Sequence, residues 1–448
     1  MLGMTFILMG SPGLGIAANG DLDPTFGLNG RQVINSGPGA DLAWGIDSLP
    51  DGRIVMGGQA SENCAVSMLF PDGSIDTSFG VAGVLQLDFD NSNDTDESCY
   101  DLVIQPDGKI IIVGDFDNGS NIDIMAIRIN TNGTLDTSFS GDGYAFVDFG
   151  LSTDSKDLGR GVALQADGKI VISGSVETSD DNVDVGLVRL NSDGSRDTSF
   201  DGDGRVTLAI DLYESTSDFA FAVKIQPDGK IIIAGWAVAD SVNNTRDMLV
   251  ARFTSTGDPD PGFNFVGYRV ISFNLGGNND DAAADLVILD NGTIVIGGFA
   301  REVSGYDFAA AAVTSIGQMD TQFSNNGLLV VPFDLGLTND DIGFGMEKDS
   351  HDRVILTGYI SNNESIDFGV IRFLADGTLD NSFGQLGKVV IPFDIQSGNI
   401  DQGLDAHILP NDSILISGAI GVNHATEDYD FGVAKLLGDI IFVDGFDN

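Results

Sequence analysis

Short apolar runs of about four to eight residues recur along the whole chain, each closed off by Gly, Asp, Asn or Ser. Runs of that length between turn-forming residues predict strands rather than helices. Between Leu135 and Asp193 four of them follow one another, YAFVDF, GVALQ, KIVISG and VGLVRLN, designated here a, b, c and d. Strands b and c are joined by QPDGK or a close relative, a hairpin in which Pro sets φ at the first corner and Gly supplies a left-handed residue. In the last two units that Gly is replaced by Asp352 and Asp412. Asp enters the left-handed region more readily than most residues, so the turn is kept.

Two marker series count the units. The motif Asp-x-x-Phe places its aromatic residue at Phe26, Phe79, Phe139, Phe200, Phe263, Phe323 and Phe383, in steps of 53, 60, 61, 63, 60 and 60. The Gly that closes runs such as KIIIVG falls at Gly58, Gly114, Gly174, Gly235, Gly298, Gly358 and Gly418, nearly in step. Seven copies of a four-stranded unit must hide their apolar faces, and twisted sheets stacked around an axis do so while protecting most edges. The expectation is an all-β, seven-bladed β-propeller of four-stranded antiparallel blades over residues 19–438. An open solenoid would need atypical capping units, and none is visible.

At these residues the chain resembles a known family. LDTSFS at Leu135, IQPDGKIII at Ile104 and DFGVIRF at Asp367 are similar to the delta-60 repeat, a bacterial propeller module, over roughly residues 21–437. The resemblance implies a propeller of exported or surface proteins and carries no catalytic residue or ligand. Departures are DPDPGF at Asp258, Ala312 at the strand d position that holds Arg in four units, and a short first unit.

Charge narrows the partners. Lys and Arg number 21 against 67 Asp and Glu, a net of −46, which repels nucleic acid and anionic lipid and attracts cations or basic partners. The first eighteen residues contain no charged side chain, and Met4 to Ala18 reads as the apolar core and small-residue end of a secretory signal, residues 1–18. No Lys or Arg precedes it, which departs from the usual pattern. No later segment approaches the roughly 18 uninterrupted apolar residues of a membrane span. The expectation is a secreted, periplasmic or cell-surface monomer, with a short tail, 439–448, as a sorting element or an extra strand.

The b–c and d–a connections repeat, whereas the a–b and c–d loops, such as DFDNSNDTDESC and WAVADSVNNTRD, vary. Variable loops on a rigid scaffold are where binding usually resides. The same face receives two acidic series: Asp41, Glu97, Asp157, Asp218, Asp281, Asp341 and Asp401 before strand b, and Asp123, Asp184, Asp247, Asp307, Asp367 and Asp430 before strand d, with Asn63 in the remaining place. These are candidate ligands for Ca²⁺, a glycan or a protein; the competing reading is that each accepts backbone N–H bonds where a strand starts. The two acids of one unit start roughly 10 Å apart, at about 4.8 Å per strand. The Asp of Asp-x-x-Phe reads as an Asx turn, paired with Arg128, Arg189, Arg252, Arg372 or Lys435 of strand d. DGDGR at Asp201 superficially resembles a calcium loop, yet lacks the spaced ligands and closing Glu.

Three His fall in different places, His351 in a b–c turn, His407 in strand b and His424 in a c–d loop, and there is no HExxH, CxxC, GxSxG or phosphate-cradling loop. Noncatalytic binding by the variable acidic face, with no cofactor beyond Ca²⁺, is the leading reading. A glycosidase or lyase is the alternative, because two placed carboxylates are all it needs. Its mark would be an acid near the axis, in one blade only, with a raised pKa. Cys64 and Cys99 fall in adjacent blades on the variable face and are a candidate disulfide.

Overall fold

The computed structural model describes residues 18–438 apart from positions 36, 38, 90–96, 153–154, 180–181, 211, 213–216, 241–244, 277–278, 336–338, 363–364, 394–399 and 424–427. The signal segment up to residue 17, the 439–448 tail and His424 lie outside the described residues. Seven antiparallel sheets form a ring, and each has strand b innermost, then c, then d. The fourth, outermost strand is strand a of the following unit: Tyr144–Val147, for example, pairs with Ile122–Ile129. A blade is therefore offset by one strand from the a–b–c–d unit read along the chain. This offset closes the ring, because Arg31–Ile34 at the start of the chain pairs with Asp428–Leu436 at its end and completes the seventh blade. Among the described residues no helix is long and apolar enough to cross a membrane.

The apolar residues collect into seven clusters, each between two neighbouring sheets. Each contains one Phe of the Asp-x-x-Phe series, at most 1% exposed. Burying one such ring stabilises by about 1.5–3 kcal/mol, so the motif that counts the units also wedges the blades together.

The Asp three residues earlier holds that wedge. Asp136 Oδ1 accepts the N–H and hydroxyl of Ser138, the anticipated Asx turn, while Oδ2 pairs with Arg128 at 2.7 Å and Lys109 at 2.9 Å. The Arg128 guanidinium lies 4.8 Å from the Phe139 ring centre and donates to the Ser192 carbonyl of the next unit. Arg189–Asp197, Arg252–Asp260, Arg372–Asp380 and Lys435–Asp23 repeat the pair. In the first blade Met68 occupies the Arg position, and Arg53 reaches Asp76 from strand c instead, at 3.4 Å.

Every strand b carries a β-bulge at the same place, for instance between Cys99 and Asp101 or Gly403 and Asp405. The bulge explains the second marker series. It pushes a strand b carbonyl over strand c, and a Cβ on Gly58, Gly114, Gly174, Gly235, Gly298, Gly358 or Gly418 would lie 1.7–2.2 Å from that oxygen. Only Gly fits there.

Candidate functional site

The bulged strands line a central cavity of about 430 Å³, within the range of small-molecule sites. Strict alternation would send consecutive side chains to opposite faces of a sheet. The bulge breaks it, so that both Tyr100 and Asp101, like both Leu404 and Asp405, reach the lumen. Counting from the acid that starts strand b, the fourth residues are Trp44, Tyr100, Arg160, Phe221, Ala284, Phe344 and Leu404. With Trp236 and Phe299 of strand c they form an aromatic shelf toward the variable face. Trp44 contacts Tyr100 and Phe344 at 5.9 and 6.1 Å between ring centres.

Below the shelf the fifth residues are small except for Asp101, Asp285 and Asp405. Below those, toward the b–c turns, the seventh residues include Asp47, Lys224, Glu347 and His407. The carboxylates reach across blade boundaries. Asp101 accepts Val162 N–H at 2.8 Å, Asp285 accepts Met346 N–H at 2.7 Å and Asp405 accepts Ile46 N–H at 3.0 Å. Asp47 accepts Ile104 N–H at 3.1 Å and Glu347 accepts Ile408 N–H at 2.6 Å. His407 Nε2 contacts Ser48 Oγ at 2.9 Å, and its Nδ1 stands 3.4 Å from Glu347 and 3.7 Å from Asp47.

Gathering these groups in a lumen shifts their protonation. Burial pushes Asp101 up to about 6. Burial, then repulsion from Asp285 and Asp101, pushes Asp405 well above the carboxylate range. Burial disfavours the charge of His407, yet its hydrogen bond with Glu347 and the nearby carboxylates raise it overall. Burial also disfavours the Lys224 ammonium, but Asp285, Asp101, Glu347 and Asp405 outweigh it and hold the proton on. Lys224 stands open to the lumen, and among the described residues it makes no hydrogen bond and no ion pair within 4.0 Å.

At the rim, Arg160 stacks 3.8 Å above the Tyr100 ring centre and pairs with Asp115 at 2.7 Å. Arg246 is held in a two-pronged pair by Asp280 at 2.7 Å, and Tyr306 donates its hydroxyl to the same carboxylate.

The two acidic series sit elsewhere. All their members are buried at 8% exposure or less, except half-buried Asp247. Asp341 shows what the first series does: Oδ1 accepts Ser361 N–H and Oδ2 accepts Phe333 N–H. Asp281 repeats it with Arg301 and Phe273. In the second series, Asp184 takes Thr178 and Asn182 as partners, and Asp430 takes Asn35. Across a boundary, the strand d acid of one blade approaches the strand b acid of the next: Asp307 is pushed to about 7 by burial, then by Glu302 and Asp341. The relevant juxtaposition therefore lies between blades rather than within the separation of one unit. Cys64 and Cys99 form a disulfide between the first two blades. His351 sits with Asp349 and Asp412 on the b–c face, where Arg353 pairs with Asp349 and stands 3.9 Å from Asp412.

Of the channel residues, the sequence placed His407 in strand b but did not single out Asp101, Lys224, Asp285 and Asp405, although a signal existed: at the fifth position of strand b three units carry Asp where the others have Gly or Ala, and at the seventh one unit carries Lys.

A family described as a domain of unknown function (DUF5122) beta-propeller matches residues 49–79, 105–139, 165–200, 226–263 and 352–383. No curated protein matches the sequence. Among solved structures, the chain is similar to polysaccharide lyase Uly1, with 11% identity, 89% of this chain and 90% of that one covered, and a TM-score of 0.50. A protein of unknown function from Dyadobacter fermentans shares 12% identity over 93% of this chain and all of its own, with a TM-score of 0.46. Chaetomium thermophilum Sqt1, bound to the N-terminus of ribosomal protein L10, shares 11% over 89% and 96%, with a TM-score of 0.44. At such identities the likeness concerns the fold alone.

Proposed function

We propose that this chain, a propeller of the delta-60 repeat kind, is an exported protein that binds a saccharide in its channel, entering from the variable face. The observation that carries the reading is Lys224, an ammonium without a hydrogen-bond or ion-pair partner among the described residues, set among four acidic side chains beneath an aromatic shelf. A ligand hydroxyl both donates and accepts, so one polyol can take hydrogen bonds from Lys224 while giving them to Asp101, Asp285 or Asp405. The C–H face of a sugar ring, slightly positive, suits the negative face of Trp44 or Phe344. Export is supported by the apolar Met4–Ala18 segment and by the disulfide, which belongs to an oxidising compartment.

The test is calorimetric titration of saccharides chosen from a glycan array into wild type, Lys224→Met and Trp44→Ala. Binding to wild type, weakened at least tenfold in both variants, is the expected result. Equal affinity in all three, or no saccharide bound by wild type, overturns the reading.

A second reading, cleavage of the bound glycan, is favoured by the raised acids Asp101 and Asp405, since a carboxyl that keeps its proton near neutrality can serve as a general acid. It requires new chain ends from a polysaccharide panel, lost in Asp405→Asn. A panel left intact by wild type excludes cleavage and leaves binding standing.

A further inference from the structure

Asp123, Asp148 and Asp157 meet where blade two abuts blade three, with one oxygen from each within 4.8 Å of the others. They come from three different strands: the start of strand d, the residue after the outermost strand and the start of the next strand b. Nearness alone does not make a site, because three carboxylates repel. A second, independent observation bears on this place. Asp157 is fully buried, and its Oδ2 accepts Phe149 N–H at 2.7 Å, whereas its Oδ1 has no hydrogen-bond partner.

The cause of that orphaned oxygen is local. In blades one, five and six, the matching oxygen of Asp41, Asp281 or Asp341 accepts the N–H of Ser61, Arg301 or Ser361. In blade three the equivalent N–H, of Glu177, goes to the Lys156 carbonyl instead. Blades four and seven make the same switch, through Val238 and Gly421, but there the position of Asp148 is held by Ala209 and Pro392. At the boundary of blades one and two, Asp88 is present, but Asn63 replaces the strand d acid. Among the described residues, one boundary combines the diverted N–H with acids at all three positions.

Cations already nearby do not fill the gap. Arg205 spends its guanidinium on Asp203 and on the carbonyls of Asp148 and Phe149. Asp157 is accordingly pushed to about 6, by burial first and then by Asp148 and Asp123. A buried carboxylate oxygen without a donor is left uncompensated for the water it has lost, a penalty that a bound hard cation removes.

We propose that Asp123, Asp148 and Asp157 bind one calcium-class divalent cation that clamps the second blade to the third. Oxygen-only donors and three negative charges suit a hard cation, with solvent completing the six to eight ligands it takes. The affinity expected is that of extracellular modules, about 10⁻⁴–10⁻³ M.

The test is calcium titration of the full chain by calorimetry, with thermal unfolding in parallel. Asp148 is exposed, so Asp148→Ala removes a ligand without disturbing the core, and Asp88→Ala is the matched control at the neighbouring boundary. Expected are one site in wild type and in Asp88→Ala, a calcium-dependent rise in the unfolding midpoint, and at least a tenfold loss of affinity in Asp148→Ala, whose calcium-free midpoint is no lower than that of wild type. An identical calcium response in Asp148→Ala, an equal loss in Asp88→Ala, or no calcium binding at millimolar concentration overturns the proposal.

Discussion

Asp405 in the seventh blade accepts the backbone N–H of Ile46 in the first at 3.0 Å, so the two ends of the repeat array are joined inside the channel as well as at the outer edge of the ring. The same carboxyl also accepts Ala406 N–H at 2.8 Å. Asp405→Ala strips both amides of their partner and should lower stability by about 1–3 kcal/mol for each amide that water cannot reach. Urea unfolding checks the value, and Asp405→Asn, which keeps one acceptor, should fall between wild type and the alanine variant.

The wedge makes a larger demand. Phe200 is fully buried in the cluster between blades three and four and lies 4.4 Å below the Arg189 guanidinium. Phe200→Ala should cost about 3–5 kcal/mol, read from the shift in the urea midpoint.

Arg189 itself bonds Asp197, the Ser255 carbonyl and Ser199. Arg189→Lys should therefore lose stability too, since a single ammonium cannot reproduce a planar fork serving three partners. Comparing thermal midpoints of Arg189→Lys and Arg189→Ala tests this: equal midpoints for lysine and wild type would reduce the fork to a point charge.

Removing the disulfide by Cys64→Ser with Cys99→Ser frees a loop whose ends are 35 residues apart. Loop-closure entropy puts the loss at roughly 3–4 kcal/mol. Denaturant midpoints with and without reductant give the number.

Stability should peak in mild acid. Asp101, Asp157, Asp247 and Asp430 are raised to about 6 and Asp307 to about 7, each by burial first. Such groups hold more protons folded than unfolded, so their contribution is complete below about pH 4 and is lost as pH rises through about 6–7. Asp76, Asp136, Asp197, Asp260 and Asp380 are lowered, with hydrogen bonds and cations outweighing burial. Their contribution is present above about pH 4 and is lost as pH falls. A thermal midpoint highest between about pH 4 and 5, falling on either side, is expected; a maximum at or above pH 7 contradicts the raised carboxyls.

The scaffold was legible because each repeated residue answers a need that every blade has. The Phe wedge, the Asx turn beneath it and the left-handed corner could be read one residue at a time, down to Asp352 and Asp412, whose φ values are 58° and 62°. The strand offset was not legible, because Tyr144–Val147 lies closer in sequence to the blade it leaves unpaired than to strand b of the blade it completes. The same offset hid the meeting of Asp148 with Asp123 and Asp157. The channel was hidden by the bulge, whose trace in the sequence, the Gly series of strand c, lies on the neighbouring strand rather than on strand b itself. Asp101 and Lys224 gain their meaning only once seven separate strands face one axis, a juxtaposition that periodicity within a single repeat cannot convey.

The pairing of Arg31–Ile34 with Asp428–Leu436 also sets an order of events. In vectorial synthesis the strand of the ring that emerges first is the one whose partner emerges last. For nearly the whole passage of the chain, Arg31–Ile34 lacks the blade it completes and Phe26 lacks half its socket. Any truncation before Asp428 leaves that edge permanently unmatched, so the ring has a built-in proofreading step for completeness: only a chain carried through to its final strand can close.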